Sequence, residues 1–193
     1  MSDDEKRRRF ELLALPHLDA GFNLARWLTR NDHDAEDVVQ EAFLRALRYM
    51  GGFHGDNARA WLLQIVRHTC FSWLKENRPA ELVALDDAGD SWREIAAPSA
   101  DEPPAVAMGN VDRQQLNSAI AALPFIYREV LVLRELNDLS YKDIAHIVDI
   151  PIGTVMSRLA RARNQMRLAL APGAMPVPML RTVPRELRSG LKS

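Results

Sequence analysis

The sequence predicts an all-α protein: two small helical domains joined by an acidic flexible linker, the C-terminal one carrying a helix-turn-helix. Three observations lead there. Apolar residues recur at three- and four-residue spacing, with no strong alternating run and no Asn-Gly or Asp-Gly hairpin. Residues 79–111 lose that periodicity and fill with acids, alanines and the prolines Pro98, Pro103 and Pro104, as a linker does. The length of 193 residues suits one large domain or two small ones, and domains of under 80 residues are individually marginal.

The elements follow in chain order. Leu18, Phe22, Ala25 and Leu28 form an apolar helical stripe, and Pro16 suits its first turn. After the polar break Asn31-Asp32-His33, Asp34 reads as an N-cap, with Glu36 and Asp37 where the helix dipole favours acids. That helix carries Val38, Val39, Ala42, Phe43, Ala46 and Leu47 on one side, and Gly51-Gly52 ends it. A loop over 53–57 leads to a third helix at about 59–77, striped by Trp61, Leu62, Ile65, Val66, Thr69 and Trp73. Beyond the linker, Leu116, Ala119, Ile120 and Leu123 make another stripe. Pro124 opens a helix running to about Leu136. From Ala171 the chain is Pro-rich and basic, and reads as a weakly packed tail.

The most specific feature lies between Leu139 and Leu170. Ser140 is placed as an N-cap with Asp143 three residues on, and Leu139 and Ile144 are spaced as a hydrophobic staple. Ile144, Ala145 and Val148 face inward on a short helix, which Asp149-Ile150-Pro151 breaks. A longer helix then begins near Gly153. Val155, Leu159, Ala162, Met166 and Leu170 line one face; Thr154, Ser157, Arg158, Arg161 and Gln165 line the other. Two helices with a short turn, the second basic on its outer face, describe a DNA-binding helix-turn-helix. Arginine there can bond guanine edges in the major groove, and Thr154, Ser157 and the helix-start amides can bond phosphates. On charge spacing alone, an αα-hairpin with a solvated basic face competes evenly. The Ser140 cap, the tight break and the small Gly153 favour DNA.

Charge is distributed unevenly. Residues 1–78 are balanced, 79–111 carry net −6, and 112–193 carry net +5. After Ile152 the only acid is Glu186, against eight Lys and Arg. A basic end of this kind fits a polyanion partner. Other classes find no support. No apolar run approaches the ~20 residues that span a bilayer, and the charged start does not resemble a signal peptide. With the single Cys70, the chain reads as cytoplasmic. The histidines 17, 33, 54, 68 and 146 show no metal-ligand spacing, so no metal and no cofactor are expected. Neither a phosphate loop nor a nucleophile elbow appears, and no catalytic residue is assigned; the chain does not read as an enzyme.

These residues have a family likeness. DAEDVVQEAFLRAL (34–47) resembles the polymerase-binding helix of bacterial sigma factors. LSYKDIA (139–145) followed by PIGTVMSRLARAR (151–163) resembles their promoter-reading helix-turn-helix, and LP (123–124) and REVLVLR (128–134) lead into it as in that family. Two helical domains and a linker resemble the extracytoplasmic-function (ECF) subgroup. The resemblance implies a polymerase- and −10-binding domain over 10–78 (sigma region two) and a −35-binding domain over 112–170 (region four), flanked by the linker 79–111 and the tail 171–193. It implies core-polymerase contacts at Asp37, Gln40, Glu41 and Leu44. It implies −10 contacts at Phe53, Asn57, Arg67, His68, Ser72, Lys75 and Arg78, and −35 contacts at Thr154, Ser157, Arg158, Arg161, Arg163 and Gln165. The partners implied are core RNA polymerase, promoter DNA and an anti-sigma factor. Family members open the −10 element by trapping an unstacked base, akin to base flipping. Helical spacing assigns Trp61 and Trp73 to the core, leaving Phe53 as the aromatic for that base.

The chain departs from the family pattern at four places. His68 stands where many members have Asn, Ser72 where many have Asp, Met156 where Lys is common, and Asp149 where the turn often has Gly. The first two bear on −10 preference; Met156 removes a possible base or phosphate contact. Asp tolerates the left-handed region, so the turn survives. The linker, about 33 residues, reaches ~110 Å extended, which exceeds the ~70 Å of two DNA turns. Its charge suits either the basic polymerase channel or plain solvent. The competing functional reading is a stand-alone helix-turn-helix regulator with an N-terminal dimerisation or sensor module.

Overall fold

The computed structural model describes residues 2–80, 82 and 113–171. Residues 83–111 of the expected linker and 172–193 of the expected tail lie outside the described residues, as do the expectations placed on them. The described secondary structure is helical: α1 (Asp3–Leu13), α2 (Leu18–Thr29), α3 (Asp32–Tyr49), α4 (Ala58–Asn77), α5 (Arg113–Ala122), α6 (Phe125–Leu131), α7 (Tyr141–Val148) and α8 (Ile152–Ala169). Short 3-10 turns occupy Leu15–His17 and Met50–Gly52, and α6 runs on into a π-helical turn, Val132–Leu136.

Helices α2, α3 and α4 pack mutually. Leu24, Leu28, Val38, Ala42, Leu62, Leu63 and Val66 are buried between them. Gly21 lets α2 sit close: a Cβ there would lie 3.3 Å from the Phe43 ring and 3.4 Å from Val66. Asn31, not Asp34, caps α3; its side-chain oxygen accepts the Asp34 amide at 3.0 Å. The helix starts earlier than its apolar stripe implies because Asp32 and His33 fit the first turn as well as a break. Helix α4 begins where expected, with the Asn57 side chain accepting the Ala60 amide at 3.0 Å.

Helix α1 has no counterpart in the sequence reading. It buries no residue fully, so it leaves almost no apolar stripe. Ser2 caps it, Phe10 meets the edge of Phe43 at 6.0 Å, and the Arg9 guanidinium donates to the Phe53 carbonyl at 2.5 Å.

In the second set, α6 and α7 pack against α8. Val130, Val132, Leu133, Ile144, Ile147, Val155, Leu159 and Ala162 are buried. The inward residue beside Ile144 and Val148 is Ile147; Ala145 is only half-buried. Ser140 caps α7 as expected: its hydroxyl accepts the Asp143 amide at 3.1 Å and donates to the Asp143 carboxylate at 2.6 Å. Asp149 ends α7 in the left-handed region, φ 59°, its amide bonded to the Ala145 carbonyl. The turn then enters α8, whose Thr154 and Val155 amides bond the Pro151 carbonyl at 2.9 and 3.1 Å.

Loss of the Ser140 cap should be measurable. Ser140→Ala leaves the Asp143 amide without its side-chain acceptor, and the expected cost is about 1 kcal/mol. Urea unfolding of the variant beside the parent checks it; an unchanged midpoint contradicts the cap's contribution.

Candidate nucleic-acid interface

Three surfaces hold the expected site residues. On α3, Asp37, Gln40, Glu41 and Leu44 fall at the i, i+3, i+4, i+7 positions of one helix face. Asp37, Gln40 and Leu44 are exposed, and Glu41 accepts the Arg45 Nε at 2.7 Å, which holds its carboxyl below the usual range. Leu44 is 46% exposed and Tyr49, five residues on, 66%.

On α4 the seven expected residues divide. His68, Ser72 and Lys75 are exposed and share one side. Burial first, then the positive charge of Arg67, keeps the His68 imidazole below its ordinary pKa, against a smaller upward pull from Asp149. Asn57 caps α4 and also donates to the Asp143 carboxylate at 2.8 Å. Arg67 is mostly buried and bonds Glu129 Oε2 through Nε at 3.0 Å. Arg78 closes the far end of α4 on the first set: it donates to the Thr29 carbonyl at 2.7 Å and to Asp34 at 2.9 Å, and lies 5.2 Å from the Trp73 ring centre.

Phe53 needs a correction. The expectation made it the accessible aromatic and placed Trp61 and Trp73 in the core. The structure reverses their exposure: Phe53 is 7% exposed, while both tryptophans are only partly buried. The reason is local. The turn Met50–Gly52 folds the Phe53 ring onto Trp61, centroids 4.6 Å apart, and Arg9 holds the Phe53 carbonyl.

On α8, Thr154, Ser157, Arg158, Arg161, Arg163 and Gln165 are all half-buried. The Ser157 hydroxyl donates to the Thr154 carbonyl at 3.0 Å. Arg158 bonds Glu129 Oε1 at 3.4 Å. Arg163 bonds Glu135 through Nε at 3.1 Å and Nη2 at 2.7 Å, so it ties α8 to the π turn. Ile152 and Met156, one turn apart, are 46% and 37% exposed at the opening of this helix. The sequence reading passed over Ile152 and counted Met156 only as a lost contact. The signal was an apolar i, i+4 pair on the outer rather than the inner face.

Glu129 of α6 therefore joins two of these surfaces. Its side chain is 1% exposed and bonds Arg67 and Arg158 with separate oxygens. Burial pushes its carboxyl upward, more than Arg67, Arg158 and Arg128 pull it down. Cys70 is also buried, and burial raises its thiol well above the ordinary range, which makes it a packing residue.

Comparison with known proteins agrees with this layout. Residues 13–79 match the family model Sigma-70 region 2, and residues 113–166 match Sigma-70, region 4. The RNA polymerase sigma-H factor of Pseudomonas aeruginosa is 34% identical over 170 residues, covering 86% of this chain and 88% of the relative. The chain belongs to the sigma-70 family of RNA polymerase sigma factors. The ECF RNA polymerase sigma-E factor of Escherichia coli is 36% identical over 148 residues, 72% of this chain and 75% of the relative. In a co-crystal structure of the sigma factor RpoE with the anti-sigma factor NepR from Bartonella quintana, the matched chain is 31% identical. That match has a TM-score of 0.63 and covers 83% of this chain and 96% of the other. CnrH in complex with the cytosolic domain of CnrY shares the fold, at 23% identity and TM-score 0.56. The sigma factor is thus of the ECF type, and two matched regions in order favour it over a stand-alone regulator. No described helix is long and apolar enough to cross a membrane.

Arg78 separates a scaffold residue from a DNA contact. Arg78→Ala is expected to lower the unfolding free energy by about 1–3 kcal/mol, because it strips a partly buried carbonyl and carboxylate of their donor. Lys75→Ala, on the exposed side, should stay within ~0.5 kcal/mol. Thermal unfolding of the two variants is the check, and equal Tm values would refute the scaffold role.

Proposed function

We propose that this sigma factor docks on core RNA polymerase through the outer face of α3, reads and opens the −10 element with α4, and reads the −35 element with α8. It acts in the cytoplasm as a non-catalytic initiation factor under an anti-sigma factor. The observation that carries this reading is the pairing of both sigma regions in one chain, with the polar-apolar face of α3 left exposed. On α4, His68, Ser72 and Lys75 offer hydrogen bonds and one positive charge to a strand, and Trp61 and Trp73 are the aromatics with exposed area. At α8, Thr154 and Ser157 supply phosphate contacts, and Arg158 supplies a base contact once its guanidinium leaves Glu129. Arg163 is held by Glu135 and contributes at most a phosphate contact. Ile152 and Met156 suit thymine methyl groups, which the major groove displays beside the hydrogen-bonding edges.

Replacing Asp37, Gln40 and Glu41 together by Ala should leave folding within ~0.5 kcal/mol per site while abolishing co-purification with core enzyme. A triple variant that assembles holoenzyme at normal affinity contradicts the docking face.

For the −35 element, holoenzyme is tested on promoters in which each thymine is replaced in turn by deoxyuridine, which lacks only the methyl group. Loss of affinity at one or two positions in the parent, absent in Met156→Ala, is the expected pattern. Arg158→Ala should instead relax preference at a single base pair, a change of ~1–3 kcal/mol. An unaltered preference in both variants means that another face of α8 enters the groove.

A further inference from the structure

At the seam between the two helical sets, Arg59 and Gln64 of α4 donate to the Asn137 and His146 carbonyls at 2.6 and 3.2 Å, and Phe71 meets the edge of Phe125 at 6.3 Å. Helix α1 packs elsewhere, on α3 and on the turn Met50–Gly52 that precedes α4. It contributes no fully buried residue, so apolar burial is not its main contribution. Arg7 and Arg8 are exposed. Arg9 is half-buried and reaches a residue 44 positions along the chain, donating to the Phe53 carbonyl at 2.5 Å.

That carbonyl lies where the chain leaves the turn. The Phe53 amide bonds the Met50 carbonyl at 3.2 Å, and φ −79°, ψ 115° then extend the backbone. The Phe53 ring lies on Trp61, centroids 4.6 Å and planes 31° apart. Gly55 sits against the same ring, where a Cβ would stand 3.2 Å from it. Residues 54–57 are all exposed, and Asn57 caps the turn of α4 that carries Trp61. Bonded at both its amide and its carbonyl, Phe53 gives the half-buried Trp61 a fixed backing and gives the exposed loop a fixed start. A loop is mobile by default, and a hydrogen bond from an ionised donor is among the stronger ways to hold one. Stacking on an aromatic ring holds an unpaired base, and a ring that must first be ordered loses part of that gain.

We propose that Arg9 is a positioning residue for promoter opening: from α1 it fixes the Phe53 peptide, Phe53 backs Trp61, and Trp61 meets an unpaired −10 base with its ring already in place. The proposal rests on the reading in which α4 opens the −10 element. Arg9 acts through Phe53 and not on phosphate. Its guanidinium is engaged by the carbonyl, and in α1 Lys6, Arg7, Arg8 and Arg9 are balanced by Asp3, Asp4, Glu5 and Glu11, which leaves no net charge to draw the helix to DNA.

The test compares holoenzymes carrying the parent chain, Arg9→Ala, Arg9→Lys and Arg7→Ala on one promoter that the parent holoenzyme selects from a random library. The promoter is used as a duplex and with its −10 element pre-melted by mismatches. Arg9→Ala should lower run-off transcription from the duplex roughly tenfold, the order of one weakened stacking contact, and leave run-off from the pre-melted template within about twofold of the parent. Arg9→Lys, which keeps the charge and a donor, should recover most of the duplex activity, and Arg7→Ala should match the parent on both templates. Equal losses on the two templates mean a role in folding or polymerase binding and overturn the proposal. A loss shared by Arg7→Ala means a charge acting on DNA and overturns it as well.

A second readout reports on the ring itself. The fluorescent base 2-aminopurine is placed in turn at each −10 position of a single non-template strand bound to holoenzyme. In the parent, stacking should quench it beyond the free strand at one position, and Trp61→Leu should remove that quenching. Arg9→Ala should restore most of the emission at the same position. Quenching that Trp61→Leu removes and Arg9→Ala leaves intact overturns the positioning role. Quenching at no position, or quenching that survives Trp61→Leu, overturns the reading of α4 instead, so the two failures are distinct.

Discussion

A carboxylate with 1% exposure has to be surrounded by cations, and Glu129 meets that demand from three directions. Arg128 precedes it on α6, Arg158 comes from α8, and Arg67 comes from α4 of the other helical set. The bond to Arg158 registers α6 against α8 inside the helix-turn-helix domain. The bond to Arg67 registers the two sets against each other. Burial pushes the Glu129 carboxyl upward, against the downward pull of its three arginines. Taking one partner away leaves an uncompensated buried charge, while the intact cluster adds little net stability. Such a contact selects one orientation of two parts and can still be given up when something else offers the arginines better partners.

The geometry of α4 explains why one side of it faces the second helical set. With 100° per residue, Asn57, Gln64 and Phe71 repeat every seven positions along one line, and Arg67, His68 and Lys75 lie within about 60° of it. The opposite side, with Leu62, Leu63, Val66 and Cys70, fills the core of the first set. A single 20-residue helix therefore has one side to offer, and the second helical set meets it at Gln64, Arg67 and Phe71. His68, Ser72 and Lys75 remain exposed.

Much of this was legible in the sequence. The helix stripes, the Ser140 cap and the break at Asp149 depend on neighbours within four residues, and local chemistry decides them. What was not legible depends on contacts between distant segments. Helix α1 lacks a buried stripe, and so does not announce itself by periodicity. Phe53 sits in a loop, where nothing in the spacing shows that its ring will turn inward onto Trp61. The π turn adds a residue to a helix whose apolar pattern continues through it. The seam is the least visible: Arg59 and Gln64 bond backbone carbonyls, which every residue carries, so no residue type marks the acceptor. Arg67 and Arg158 were readable as basic positions on two helix faces. Their meeting on Glu129 was not, because Glu129 sits in a motif that reads as a simple lead into the helix-turn-helix.

Exposure also bears on the proposed docking face. The outer face of α3 is open while the seam is closed, with Asp37, Gln40 and Leu44 exposed. On the proposed docking face, contact with polymerase through α3 therefore requires no rearrangement of the two sets. That contact alone cannot open the chain, because a partner that binds both forms equally shifts no equilibrium. Separation of the two sets would need a second contact that the separated form alone makes. Its differential affinity would have to exceed the free energy of a seam across which the buried apolar residues of both sets form one cluster and Arg67 is bonded to Glu129.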